Sequence, residues 1–251
     1  MRFASLGSGS KGNATVVAAG DTVVLVDCGF SVRETSRRLA RLGLEPSQLD
    51  AVLVTHEHTD HCSGVAALSR KYQLPVYLTY GTAGSGRCDG SHLMHRFNCG
   101  EAFAIGALQV EAVAVPHDAA EPCQYRLESG GRRLGVLTDL GSITNHVVES
   151  YRHCHSLLLE FNHDLEMLMQ GDYPPMLKRR VGGDWGHLNN EQAAGFLQRI
   201  HAAPLSNLVV AHVSENNNCR AKAEQALRGA LDRLDHVVFA RQAEGFGWLD
   251  V

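Results

Sequence analysis

The sequence predicts a layered α+β or α/β fold, and three observations carry that expectation. Apolar strand-like runs come first in each portion of the chain and helical patterns follow them, which is the alternation of layered folds. Four of those runs, at 51–54, 113–115, 135–137 and 209–211, are each followed within two residues by a histidine or an aspartate. The chain has 251 residues, 44% hydrophobic and 20% charged, the composition of an ordinary globular protein. A chain of that length buries roughly three quarters of its unfolded surface without staples, and residues 1–251 are expected to form one domain.

The elements follow in order. Residues 2–6 are expected as a first strand, and the glycine-rich run Gly7-Ser8-Gly9-Ser10-Lys11-Gly12-Asn13 as a loop. Residues 14–19 and 22–26 make a hairpin turned at Gly20-Asp21. An amphipathic helix is expected at 32–42, with Val32, Leu39 and Leu42 inward, Arg37, Arg38 and Arg41 outward, and Gly43 as its stop. A buried strand at 51–55, a helix at 63–72 and a strand at 75–79 come next. Residues 81–100 are irregular and are expected as a surface loop. Three strands follow at 108–115, 124–127 and 133–138, then a helix at 143–151 and a strand at 156–160. Residues 163–181 read as two short helices broken at Tyr173-Pro174-Pro175. A helix at 190–201, a strand at 207–211, a helix at 220–234 and a last strand at 237–240 complete the chain. No repeat, low-complexity segment or linker interrupts it.

Composition excludes several classes. The net charge of −4 provides no global basic field. Seven cysteines without a CxxC pair suit a reduced, cytoplasmic protein. The start of the chain has no long apolar stretch after its single Arg2, so no signal peptide is expected, and no apolar run reaches about 18 residues, so no membrane association is expected.

The most specific feature is Thr55-His56-Glu57-His58-Thr59-Asp60-His61, directly after an apolar run. Imidazolium groups so close repel one another, and neutral ones need several hydrogen-bond partners. Imidazole and carboxylate are ligands for zinc-like divalent cations. His117, Asp139 and His212 stand at the ends of the other three runs. Strand ends are stiff and hold ligand geometry. A lone histidine after a strand is usually a cap or a core residue, but four such ends together favour a metal site.

This arrangement resembles the metallo-β-lactamase fold, whose HxHxDH motif matches His56, His58, Asp60 and His61 and whose later single ligands match His117, Asp139 and His212. The resemblance implies a four-layer αββα sandwich with two divalent metal ions, zinc or manganese with iron also accommodated. It implies one ion on His56, His58 and His117, a second on Asp60, His61 and His212, and Asp139 between them, about 3.5–4 Å apart. Asp27 fits a supporting aspartate behind the ligands, or a plain turn before Gly29. An aspartate at 139, where antibiotic-hydrolysing members often have cysteine, implies phosphodiesterase-like chemistry.

The resemblance narrows to the YycJ (WalJ/VicX) branch. It is carried by Leu159-Glu160-Phe161-Asn162-His163-Asp164, Gly186-His187-Leu188-Asn189-Asn190, Ala211-His212-Val213-Ser214-Glu215-Asn216-Asn217-Asn218 and His117-Asp118-Ala119-Ala120-Glu121-Pro122, with the opening glycine-rich run. Phe161 and Asn189 depart from the branch pattern. The branch implies a 5′ to 3′ DNA exonuclease linked to DNA repair. Its catalytic group here would be Asp60 with His187 as proton donor and Glu160 orienting it, and His163 is the rival donor. Ser10, Lys11, Asn13, Asn216 and Arg220 are candidate substrate contacts, Lys178-Arg179-Arg180 a basic patch, and Trp185 a base-stacking candidate or a packed side chain. A nucleic acid substrate, DNA over RNA, is expected. A small-molecule or cyclic-nucleotide phosphodiesterase and a catalytically silent regulatory member are the alternatives, and oligomeric state is open.

Overall fold

The computed structural model describes residues 1–200 and 205–251. Strands β1 (Arg2–Gly7), β2 (Ala14–Ala19), β3 (Thr22–Val26), β4 (Ala51–Leu53), β5 (Pro75–Thr79), β6 (Leu93–Phe97), β7 (Ala102–Ile105), β8 (Leu108–Ala114), β9 (Cys123–Ser129), β10 (Arg132–Leu137), β11 (Ser156–Glu160), β12 (Asn207–Ala211), β13 (Val237–Phe239) and β14 (Phe246–Asp250) form two seven-stranded sheets. The first runs β14-β1-β2-β3-β4-β5-β6 and the second β13-β12-β11-β10-β9-β8-β7. Helices α1 (Val32–Ala40), α2 (Thr59–Cys62), α3 (Val65–Tyr72), α4 (Tyr80–Gly84), α5 (Asn145–Tyr151), α6 (Leu165–Gln170), α7 (Pro175–Val181), α8 (Asn190–Arg199) and α9 (Arg220–Arg228) connect or cover them.

Strand periodicity explains the four layers. Side chains alternate across a strand, so one strand feeds two cores. Leu158 joins Val24, Val26, Leu53, Val110, Tyr125 and Val136 between the sheets. Its neighbours Leu157 and Leu159 point the other way, against Val147 and Tyr151 of α5, Phe196 and Leu197 of α8 and Leu227 of α9. On the first sheet Leu25, Val52 and Val76 face outward to Leu39 of α1 and Val65 and Leu68 of α3. The order is helix, sheet, sheet, helix: the αββα sandwich. Strands covered on both faces become continuous apolar runs, as SLLLE and NLVVA are.

Chain direction places the site. β3, β4, β5 and β6 are mutually parallel, as are β10, β11, β12 and β13. β8 is antiparallel to β9 and β9 to β10, so β8 runs with β10. The C-terminal ends of β3, β4, β8, β10, β11 and β12 therefore open toward the candidate ligands.

Several expectations need correction. Residues 81–100 hold the end of α4 and all of β6, and β7 and β14 were not anticipated. These strands lie at or next to sheet edges, where half their residues face water and the apolar alternation fades. The last helix ends at Arg228, where the chain passes into a turn with Gly229 N bonded to Ala226 O at 3.1 Å and Ala230 N to Leu227 O at 3.0 Å. The expected end of the helix at 201 lies outside the described residues. Arg38 is not an outward residue. Its guanidinium is buried, donating to Leu6 O at 2.6 Å and Gln242 O at 3.1 Å and stacking on Phe30. Among the described residues no helix is long and apolar enough to cross a membrane.

Candidate metal centre

The histidine-rich motif is built into the end of β4 by backbone bonds from the glycine-rich segments. Asn13 N donates to Asp60 O at 2.7 Å and Cys28 N to His61 O at 2.7 Å. Gly29 lies so close under the Asp60 carbonyl that any side chain there would overlap it. Within this frame α2 turns His61 inward while His58 caps it from outside.

His56, His58 and His117 converge. His56 Nε2 lies 3.1 Å and His117 Nε2 3.2 Å from His58 Nδ1. The outer nitrogens are already engaged: His56 Nδ1 with the Thr55 hydroxyl at 2.9 Å, and His117 Nδ1 with Gly186 O at 2.9 Å. One proton on His58 Nδ1 satisfies only one of the two facing nitrogens, so a lone pair is left confronting another. A shared cation removes the conflict. Nitrogens bound tetrahedrally at ~2.0–2.1 Å to one zinc lie ~3.3 Å apart, close to the spacing here. Burial, helped by the neighbouring imidazoles, holds His56 and His117 below their ordinary range, the neutral state a ligand needs.

Asp60, His61 and His212 form a second set, and His56, His61 and Asp139 a third overlapping one, each with ligand atoms within 4.8 Å of one another. His61 Nδ1 faces Asp27 Oδ2 at 2.8 Å, leaving Nε2 for the cluster. His212 Nδ1 is taken by Thr138 O and Glu160 Oε1, both at 3.1 Å, so its Nε2 also faces inward. Asp139 Oδ2 is buried and has no hydrogen-bond partner, although His61 Nε2 lies 3.2 Å away. Burial opposes charge on both groups, yet His212 and then His61 hold Asp139 well below its ordinary range, and Asp139 and then Asp27 hold His61 well above its own. An ion pair alone would align a hydrogen bond; the misaligned, orphaned oxygen fits a cation between the two. The donor sets thus fit two divalent ions.

Asp27 sits on a backbone φ of 62° and accepts from Thr55 N and Thr55 Oγ1, both at 2.8 Å. Glu160, fully buried at the end of β11, accepts from His187 Nδ1 at 2.7 Å and from Leu188 N at 3.0 Å. Burial works against charge on His187, but Glu160 and then Asp139 outweigh it and hold the imidazole above its ordinary value. His163 is different. It is 1% exposed, its Nδ1 has no partner, and burial drives its pKa down to about 4. His187 lines the cavity over the centre and His163 does not.

That cavity, about 410 Å³, is also lined by Ser10, Asp60, Arg87, Asp118, Asn162, Tyr173, Arg180 and Ser214. Of the expected substrate contacts only Ser10 is in its wall. Asn13 is drawn into the centre instead, its amide 3.0 Å from His61 Nε2 and 3.4 Å from Asp60 Oδ2. Lys11 pairs with Glu215 at 2.5 Å beside the mouth, and Asn216 meets the Tyr173 hydroxyl at 3.5 Å. Arg220 is turned away: it binds Glu224 at 2.7 Å and stacks on Phe239. In the basic patch, Arg180 reaches the cavity while Lys178 donates to Met169 O. Trp185 is 64% exposed, so it is not packed. Arg87 and Tyr173 escaped the sequence reading because each lies in an irregular segment with no motif around it. Asp118 beside His117, Asn162 near Glu160 and Ser214 near His212 all lie in the runs that carried the resemblance, and all line the cavity.

The fold and the centre together define a metallohydrolase of the metallo-β-lactamase type. Residues 22–212 match the family model described as "Beta-lactamase superfamily domain", and the chain belongs to the metallo-β-lactamase superfamily of hydrolases. Among curated relatives it is 34% identical over 240 residues to exodeoxyribonuclease YycJ of Bacillus anthracis, covering 92% of this chain and 89% of that protein. It is 32% identical over 242 residues to exodeoxyribonuclease WalJ of Streptococcus pneumoniae, covering 94% and 90%. The metallo-β-lactamase fold protein YhfI of Bacillus subtilis has the same architecture, with a TM-score of 0.78, 17% identity and 99% of each chain covered.

Proposed function

We propose that the chain is a two-metal phosphodiester hydrolase that removes nucleotides from DNA ends, with a role in DNA repair. One observation carries the reading: a three-imidazole set and an imidazole-carboxylate set flank the orphaned Asp139 oxygen at the floor of a cavity that also holds Arg87, Arg180 and His187. Arginine in such a cavity suits a phosphate anion. The polarity, 5′ to 3′, and the preference for DNA over RNA follow the names and branch of the relatives.

His56, His58 and His117 would hold one ion and Asp60, His61 and His212 the other, with Asp139 between. Two divalent cations there would supply an activated water and neutralise charge on the phosphoryl oxygens. The nitrogen-rich sets suit zinc or manganese, with iron also accommodated. The protein's own groups do the rest. Asp27, Thr55, Gly186 O and Glu160 fix which nitrogen of each ring faces inward. Glu160 binds Nδ1 of His187 and keeps the ring protonated, so Nε2 can pass a proton to the departing alkoxide. The reading takes residues 1–251 as one domain and a cytoplasmic setting, which the seven free cysteines support.

The test uses purified, metal-loaded protein. A 3′-labelled DNA duplex should be shortened stepwise from its 5′ ends, and faster than a chromogenic phosphodiester is hydrolysed. Asp139→Ala should abolish the reaction with the circular dichroism unchanged. Cleavage by that variant at the wild-type rate would remove the proposal.

A further inference from the structure

The cations at the cavity mouth are not idle. Arg180, on α7, gives its Nε–H to Asp118 Oδ2 at 2.5 Å, the only hydrogen bond its guanidinium makes among the described residues. The same Asp118 carboxylate leans over the centre, with Oδ1 3.5 Å from His117 Nε2 and 3.8 Å from His58 Nε2. An internal anion therefore stands between an arginine and the imidazole cluster, where an incoming phosphate needs to be. Beside it the pattern recurs. Lys11 follows the cavity residue Ser10, and Glu215 follows the cavity residue Ser214; the two pair at 2.5 Å. Both pairs are solvent-exposed, with side-chain exposures of 59% and 29% for Arg180 and Asp118 and 69% and 54% for Lys11 and Glu215. Exposed pairs are weak and exchange partners readily. A guanidinium prefers a phosphate it can bind in a fork, and a DNA strand presents several phosphates in a row.

We propose that Asp118 and Glu215 are surrogate anions: they hold Arg180 and Lys11 at the mouth of the cavity until the phosphates of a DNA strand displace them, Arg180 then gripping the phosphate nearest the centre and Lys11 one further along. This makes Arg180 and Lys11 positioning residues for the strand. The two carboxylates set the affinity that a strand must exceed, which disfavours small or singly charged esters. The inference rests on the phosphodiesterase reading of the cavity.

The test compares wild type with Asp118→Asn, Glu215→Gln, Arg180→Ala and Lys11→Ala, all metal-loaded. KM for single-stranded DNA is measured across salt, and binding of thymidine 5′-monophosphate by calorimetry. Removing either carboxylate should lower KM by about 2- to 5-fold, the factor matching the small worth of an exposed pair. Removing either cation should raise KM and flatten the slope of log KM against log salt by about 0.7–0.9. Asp118→Asn should tighten binding of the mononucleotide, and should have no effect on it once Arg180 is alanine. An unchanged or raised KM in both carboxylate variants overturns the inference. So does a loss of kcat at constant KM in Asp118→Asn, which would make that residue part of the chemistry. If wild type neither cleaves DNA nor binds the mononucleotide, the phosphodiesterase reading itself fails.

Discussion

Asp27→Asn isolates one proton. In the native chain the Asp27 carboxylate accepts three hydrogen bonds, from Thr55 N, Thr55 Oγ1 and His61 Nδ1, each at 2.8 Å. Asparagine keeps the shape, and it tolerates the left-handed backbone that φ of 62° imposes. Its carbonyl can still accept from Thr55 N. Its amide, however, now points a donor at His61 Nδ1. That nitrogen must become an acceptor, and the ring proton moves to Nε2. The opposite flip aims the amide at Thr55 N, a buried donor-donor contact costing about 1–3 kcal/mol. A protonated Nε2 cannot bind a metal. Losing the group that fixes a ligand's tautomer typically weakens metal affinity by about 10- to 100-fold, or ~1.4–2.7 kcal/mol.

The expected result is selective. One equivalent of metal, on Asp60, His61 and His212, weakens by that factor. The other, on His56, His58 and His117, should weaken less, because Asp27 reaches those rings only through the Thr55 hydroxyl, which bonds His56 Nδ1 at 2.9 Å. Calorimetric titration of the chelated protein with Zn²⁺ or Mn²⁺ resolves the two, and thermal melting in chelator should show little change. Asp27→Ala, by contrast, leaves Thr55 N without its acceptor and puts a Cβ-bearing residue without polar help in the left-handed region. It should destabilise the apo fold by about 2–4 kcal/mol. If Asp27→Asn binds both equivalents as wild type does, His61 is not a ligand through Nε2 and the tautomer argument is wrong.

Two more perturbations separate chemistry from folding. His187→Gln removes the proton carrier held by Glu160 and should lower kcat by about 10²–10⁴-fold with metal content unchanged, read by steady-state kinetics alongside metal analysis; loss of metal instead would make His187 a ligand. Leu158→Ala, at 1% exposure between the sheets, should cost about 2–5 kcal/mol in urea unfolding and leave bound metal per folded protein unchanged.

Much of this was legible in the sequence for a physical reason. His56, His58, Asp60 and His61 are contiguous, and strands buried on both faces become the unbroken apolar runs that lead to His117, Asp139 and His212. Edge strands with exposed residues leave a weaker trace, which is why β6, β7 and β14 went unseen, whereas the all-apolar edge strand β13 was read. Pairing was also hidden. Nothing local in the sequence says that Lys11 meets Glu215, 204 positions away, whereas the pairing of Arg220 with Glu224, one helical turn on, follows from the helix expected there. Asn13 was a candidate substrate contact, yet its amide faces His61 and Asp60, because Gly9 N and Gly9 O fold the loop back on that side chain at 2.8 and 3.1 Å.

The direction in which a side chain leaves a strand end is the least legible quantity, and the centre depends on it. Asp27 and His212 are both non-glycine residues with positive φ, 62° and 48°, one residue past β3 and β12. Each conformation costs on the order of 1–2 kcal/mol and persists only where neighbours determine it. For Asp27 those neighbours are Thr55 and His61. For His212 they are Ser8 Oγ, which accepts its N–H at 2.8 Å, and Asn162, which donates to its carbonyl at 3.2 Å. An extended residue at either position would continue the strand and carry its side chain away from the other imidazoles. The reversal turns Asp27 under His61 and brings His212 Nε2 within 3.8 Å of Asp60 Oδ2. The polar groups of the first loop, Ser8 and Asn13, thus help to set the geometry of the candidate centre, although no ligand pattern includes them.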